Sequence, residues 1–177
     1  IVKTERSEFE CQFLINCAGL YSDKVTAMTQ KPEFKIVPFR GEYYKVVTEK
    51  KFLCRNLIYP VPNPEFPFLG VHFTRMIDGS IECGPNAVFT FKREGYNKTA
   101  FSIKDSLQAL SFSGTRKLFI NHWKFGLNEY KRAFSKSLFL KELKKMLPSL
   151  KMEEIIQGRS GVRAMALGID GEVIDDF

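Results

Sequence analysis

At 177 residues and 44% hydrophobic composition, the chain is long enough for one domain with a real core and is not a disordered polypeptide. No run approaches the roughly 18 uninterrupted apolar residues of a membrane span, and Ile1 to Phe13 is too charged for a signal peptide, so a soluble, non-secreted protein is expected. The net charge of +7 is concentrated in residues 116–151, where ten Lys/Arg face only Glu129 and Glu142. Such a run reads first as the solvated side of helices, ahead of a nucleic-acid or membrane contact.

Along the chain, Cys11 to Ala18 is a continuous apolar run ended by Gly19, which predicts a strand covered on both faces, as in a parallel sheet. Ser22-Asp23 then offers a helix N-cap before Val25 and Met28. From Phe34 to Met76 the pattern changes to short β-rich pieces at 35–38, 42–48, 57–61 and 69–75. Four prolines between Pro60 and Pro67 remove ladder donors and predict a stiff loop. Asp78-Gly79 between two β-rich runs is the strongest hairpin signal.

Beyond Phe91 the spacing turns helical. Ser102 with Asp105 three residues on resembles a capping box, opening a helix with Ile103, Leu107 and Leu110 on one side. Tyr130, Ala133, Phe134, Leu138, Leu143, Met146 and Leu147 recur at helical spacing with lysines between them, and Pro148 ends the run. Both sets are expected to face the core. Gly158 to Phe177 returns to β-formers with a second turn at Asp170-Gly171. A strand-like start without methionine and an end just after a hairpin point to a piece of a larger protein. The fold expected is α+β, a mixed, largely antiparallel sheet with helices packed on one face.

The residues that could carry chemistry are few. Cys11, Cys17, Cys54 and Cys83 form no C-x-x-C pair and are expected reduced, with Cys17 and Cys83 inside apolar runs. His72 and His122 have no second ligand at metal spacing, so no metal site is expected. G-x-G-x-x-G, P-loop, G-x-S-x-G and H-E-x-x-H patterns are absent from these residues. What remains is a small-residue corner at Asn16-Cys17-Ala18-Gly19, where backbone can approach a ligand closely, and arginines in apolar settings. Arg40 opens a strand, and Arg163 sits in Gly161-Val162-Arg163-Ala164. An arginine placed so is either in a structural ion pair or waiting for an anion, and the sequence alone does not choose.

Four blocks in order, NCAGLYSDKV (16–25), IVPFRGEYY (36–44), a stretch from 56 to 96 ending GPNAVFTFKREGY, and GRSGVRAMALGIDGEVIDDF (158–177), resemble the L-2-hydroxyglutarate dehydrogenase/oxidase family. That family belongs to the D-amino acid oxidase and glycine oxidase superfamily, which pairs a doubly wound FAD domain with a sheet-rich substrate domain. The resemblance implies one compact unit over 1–177, with 35–157 as substrate-binding domain and with 1–34 and 158–177 belonging to or bordering the FAD-binding domain. It implies oxidation of L-2-hydroxyglutarate to 2-oxoglutarate with FAD as cofactor, and oxygen or a quinone as electron acceptor. The flavin-gripping G-x-G-x-x-G segment is absent, so the 177 residues are expected neither to retain FAD well nor to turn over alone.

The resemblance also places Ala18, Gly19, Gly161, Val162, Asp170 and Gly171 near the cofactor, and Arg163 near the substrate carboxylate. The physical logic agrees, because a diacid needs fixed cations and a guanidinium grips a carboxylate bidentately. His72 is the candidate for accepting the hydroxyl proton, since an imidazole of pKa about 6.5 is available as a base at neutral pH. Tyr59 and Asn86 are candidates for orienting substrate, with Arg40 and Arg75 as reserve cations. A cytoplasmic enzyme, peripheral on the inner membrane in a bacterium, or a mitochondrial one in a eukaryote, is expected. Two other readings stand beside it: an amino-acid or sarcosine-type oxidase of the same superfamily, and a module using the basic 116–151 segment on nucleic acid or anionic lipid.

Overall fold

The computed structural model describes residues 1–62 and 70–174. Its organising element is β3 (Phe34–Val46), a strand of 13 residues that joins two of the expected β pieces into one. Strand β7 (Ile155–Gly168) runs antiparallel along its whole length. The opposite edge of β3 is shared by two shorter partners, β5 (Ile81–Gly84) at Tyr44 and Lys45, and β6 (Val88–Phe89) at Phe39 and Arg40. Outside β5 lies β4 (His72–Arg75). A separate two-stranded ribbon, β1 (Val2–Lys3) with β2 (Glu8–Phe9), opens the chain. Every pairing between these strands is antiparallel; a lone parallel bridge joins Phe91 and Phe101. The expected α+β class is what forms.

A register shift sets Tyr43 of β3 against two residues of β7, Gly158 and Arg159, so the extra residue lies on β7. A bulge of this kind changes the phase of β7 and leaves the alternation of β3 unbroken. Val37 and Phe39, at odd positions, therefore point to one face of β3, and Tyr44 and Val46, at even positions, to the other. Each set anchors its own core. Val37 and Phe39 pack with Phe89, Met165 and Leu167 against Ala109 of helix α2 (Ile103–Leu110) and Leu118 of α3 (Ser113–Phe134). Tyr44 and Val46 pack with Phe73, Ile81 and Ile155 against Phe139 and Leu143 of α4 (Lys136–Leu143).

Turn chemistry follows the sequence closely. Gly79 takes φ 74° in the β4–β5 hairpin, where its N–H donates to Met76 O and the Asp78 carboxylate accepts from the Ser80 N–H and hydroxyl. The hydroxyl of Ser102 accepts from the Asp105 N–H at 3.2 Å and caps α2, and Ser135 caps α4 in the same way. The last turn closes as expected, with Gly171 at φ 85° and Leu167 bridged to Val173. All four cysteines are free. No helix is long and apolar enough to cross a membrane among the described residues.

Several expectations are overturned. Residues 11–18 form no strand: Phe13 is 85% and Ile15 83% exposed, and Cys17 is exposed with them. A strand buried on two faces needs neighbours, and among the described residues none pairs with this run. Asp23 does not cap α1 (Ser22–Thr26); it is buried and bound to Arg93. Of 57–61 only Ile58 pairs, in a bridge to Phe73. Ile103, Leu107 and Leu110 point outward, while Ser106 and Ala109 are the buried positions of α2. Phe134 and Leu138 are likewise exposed. The proline loop falls mostly on 63–69, outside the described residues.

Candidate functional site

Tyr43 of β3, the middle of β7 and the link between β5 and β6 meet around one small cavity. It measures about 130 Å³ and is lined by Gly41, Tyr43, Pro85, Asn86, Gly161 and Arg163, with Phe39, Ala87 and Val162 completing the wall. The sequence builds it by subtraction at Gly41. A Cβ there would collide with the Pro85 ring, so glycine is what lets the Gly84–Pro85 link, a cis peptide, approach β3. Asn86 is buried and committed on both sides: its Oδ1 accepts from the Glu42 N–H at 2.7 Å, and its Nδ2 donates to Glu129 O at 3.4 Å. Glu129 also accepts from the Ala87 N–H at 3.1 Å, and burial pushes its carboxyl pKa up. Asn86 therefore shapes the wall, and its amide is spent on protein partners.

Arg163 stands opposite Phe39 in the ladder, is exposed, and borders the cavity. Its charge reaches two titratable neighbours. Burial lowers the pKa of His72, a hydrogen bond with Gly70 works against that, and Arg163 lowers it further. Tyr43 is pushed up chiefly by burial, with Arg163 opposing and Glu82 and Tyr59 adding to the rise. Tyr59 stacks on His72, ring centroids 4.4 Å apart and 23° from parallel. His72 Nδ1 lies 3.1 Å from Gly70 O. A carbonyl only accepts, so Nδ1 carries the proton and Nε2 of the neutral ring keeps its lone pair.

Arg163, His72 and Tyr59 are thus brought within electrostatic reach of one another, with Tyr43 among them. Sequence reasoning missed Tyr43. The signal available was a doubled aromatic, Tyr43-Tyr44, which in a strand puts one ring on each face.

Other expected residues go elsewhere. Arg40 is 4% exposed; its Nε donates to Glu42 Oε1 at 2.7 Å and its Nη1 to Asn97 O at 2.6 Å. That is the structural ion pair, one of the two fates its sequence setting allowed. Arg75 Nη1 donates to Cys54 O at 3.5 Å. Asp170 pairs with Lys117 at 2.7 Å, and Gly171 packs against Gly114 O and Leu118 N at the start of α3, so this turn seats the end of β7 on the helix. Ala18 and Gly19 form the corner before a short turn, Gly19–Tyr21, that packs beside β3 and β7. Asn16 pins that corner: its Oδ1 accepts from the Ala18 N–H, and its Nδ2 donates to Ser22 O and Thr26 Oγ1.

Two places leave room for a flat ring against backbone. At Gly161 an added Cβ would meet only the Tyr43 ring edge, at 3.9 Å, and at Gly19, with φ 52°, it would meet nothing within 4 Å. Bare backbone of this kind fits close approach by a cofactor ring or its phosphates. No group of three or more metal-ligating side chains occurs among the described residues.

An L-2-hydroxyglutarate dehydrogenase of Indibacter alkaliphilus is 50% identical over the whole chain, which spans 45% of that protein. The Escherichia coli K12 L-2-hydroxyglutarate dehydrogenase is 46% identical, with 42% of its length covered, and a mitochondrial L-2-hydroxyglutarate dehydrogenase of Bos taurus is 44% identical, with 38% covered. The chain therefore spans less than half the length of these relatives. The profile of the FAD dependent oxidoreductase family, DAO, matches residues 1–176, and the chain belongs to that family.

Proposed function

We propose that these residues form the substrate-binding part of an enzyme that oxidises L-2-hydroxyglutarate to 2-oxoglutarate. The observation that carries this reading is Arg163: a guanidinium at the mouth of a cavity, acting on both His72 and Tyr43. A carboxylate matches a guanidinium bidentately, and a substrate with two carboxylates gains most from a cation fixed on a strand. His72, with Nε2 unprotonated and its pKa held below the usual value, accepts the proton of the substrate hydroxyl. Tyr59 holds the imidazole plane by stacking, and the Tyr43 hydroxyl, protonated at neutral pH, donates to the substrate oxygen.

FAD, when bound, supplies the two-electron acceptor for the hydrogen leaving the hydroxyl-bearing carbon. Gly161, Val162, Ala18 and Gly19 are the residues assigned to hold it. In this reading 35–157 is the substrate domain, and 1–34 with 158–177 border the flavin domain. The exposed apolar run at 11–18 is consistent with a strand whose neighbours lie in that domain. The electron acceptor is oxygen or a quinone, with the enzyme peripheral to a membrane in the quinone case. The relatives named are bacterial and mitochondrial enzymes, and either setting suits this chemistry.

The test is Arg163→Ala in the full-length enzyme. Loss of one charge-assisted contact of about 2 kcal/mol lowers kcat/KM for L-2-hydroxyglutarate by roughly 30-fold. Unchanged kinetics, or flavin reduction by amino acids in place of hydroxy acids, removes the substrate assignment.

A further inference from the structure

A second, larger cavity lies back to back with the polar one and shares Phe39 and Ala87 with it as a common wall. It measures about 460 Å³, within the range of small-molecule sites. It lies between β6 and α3, where the helix departs from helical geometry at His122. The lining is mostly aromatic, with His122 its one imidazole among the described residues. Phe89 meets Phe119 and Phe91 edge-to-face, centroids 5.2 and 5.1 Å apart, and Phe39 at 6.1 Å. On the helix side lie Trp123, 56% exposed at the rim, and Tyr130, whose hydroxyl is spent on Phe89 O at 2.6 Å. Among the described residues no Asp, Glu, Lys or Arg lines it.

Gly126 supplies an independent sign that the space is kept open. It stands inside α3 and lines the cavity, yet an added Cβ would meet nothing within 4 Å. Glycine is the poorest helix former apart from proline, so packing and helix propensity both argue for a larger residue here. Because Gly126 lines the cavity, a long side chain at this position is expected to narrow it.

We propose that this cavity binds an uncharged planar ring molecule. Aromatic walls offer such a ring offset-stacked and edge-to-face contacts, and a charged ligand would find no carboxylate, lysine or arginine in the lining among the described residues. A bound ring would lie one side chain, Phe39 or Ala87, from the cavity that Arg163 borders. The chemistry is shared by a quinone headgroup and by a redox-inert aromatic, and the assignment is independent of the substrate proposed above.

Trp123 is the only tryptophan in the sequence and lines the cavity, so its fluorescence reports occupancy directly. Menadione titrated into the protein is expected to give saturable quenching, in contrast to the linear quenching of a free tryptophan amide. Gly126→Leu is expected to weaken this binding at least tenfold while raising the melting temperature, and Lys141→Ala on α4 is expected to leave it unchanged. Competition by methylnaphthalene assigns recognition to the ring alone, and its failure to compete assigns it to the quinone carbonyls; either supports the site. Linear quenching, binding that Gly126→Leu does not alter, or a Gly126→Leu protein that fails to fold overturns the proposal. So does a Trp123 response seen only with anionic phosphatidylglycerol vesicles or only on self-association, because the face is then a docking surface.

Discussion

Arg40 and Arg163 stand on adjacent strands one register step apart, Arg40 opposite Val162 and Arg163 opposite Phe39. One is sealed in the interior with Glu42 and the Asn97 carbonyl, and the other is exposed at a cavity mouth. Arg93 repeats the first pattern with Asp23, at 2.8 and 3.2 Å, and also donates to Leu20 O, tying the N-terminal segment to the sheet. The difference lies in what each charge can still do. A guanidinium sealed away from water with a carboxylate holds the fold together, whereas one exposed at a mouth lies where a ligand's charge can reach it.

The largest effect should separate these roles by stability. Glu42→Gln leaves the Arg40 charge buried without its counter-ion, and breaking such a pair costs about 3–5 kcal/mol. Arg163→Ala, at an exposed position, should stay within about 1 kcal/mol of the parent. Urea unfolding of the two variants measures both. Equal destabilisation would erase the distinction between a structural and a ligand-binding arginine. In the full-length enzyme the ranking should invert, with Arg163→Ala giving the roughly 30-fold loss in kcat/KM described above.

The next effect sharpens the link between Arg163 and His72. Because burial and Arg163 both lower the His72 pKa, the folded protein holds the ring neutral to lower pH than the unfolded chain does. The stability this contributes is present above the ordinary pKa of about 6.5 and is lost as pH falls through the lower folded value. In kcat/KM the acid limb should lie below that ordinary value. Arg163→Ala removes a repulsion between like charges, so the limb and the imidazole titration followed by NMR should both move upward. A limb that stays in place would show that Arg163 and His72 do not share a site.

The sequence made some of this legible and hid the rest for physical reasons. Turns were readable because their chemistry is local: Asp78-Gly79, Ser102 and Asp170-Gly171 each act within a few residues of themselves. Arg163, His72 and Tyr59 could be named, but only register along β3 and β7 and the stack on His72 brought them together. Tyr43 was hidden because its place depends on a bulge in β7 opposite it, visible only once both strands are paired. Ile103, Leu107 and Leu110 show the converse failure, since periodicity locates an apolar face without saying what covers it. The fate of Arg40 turned on Asn97, 57 residues away, which no local pattern reveals.

The smallest effect belongs to Asp170 and Lys117, the ion pair at the end of β7. Both side chains are more than half exposed, at 72% and 51%, so water and salt screen the attraction and two flexible side chains lose entropy to make it. Lys117→Ala should therefore cost no more than about 0.5 kcal/mol, and less at high ionic strength. The turn itself rests on other contacts: Ser113 Oγ donating to Ile169 O, and Gly171 fitted closely against the start of α3. Gly171→Ala, at φ 85° and with Gly114 O 2.9 Å from the new Cβ, should cost clearly more than Lys117→Ala in the same unfolding assay. The reverse order would mean that charge, not backbone fit, seats the end of β7, and Asp170 would then rank with the buried carboxylates Asp23 and Glu42 as a residue that holds the sheet.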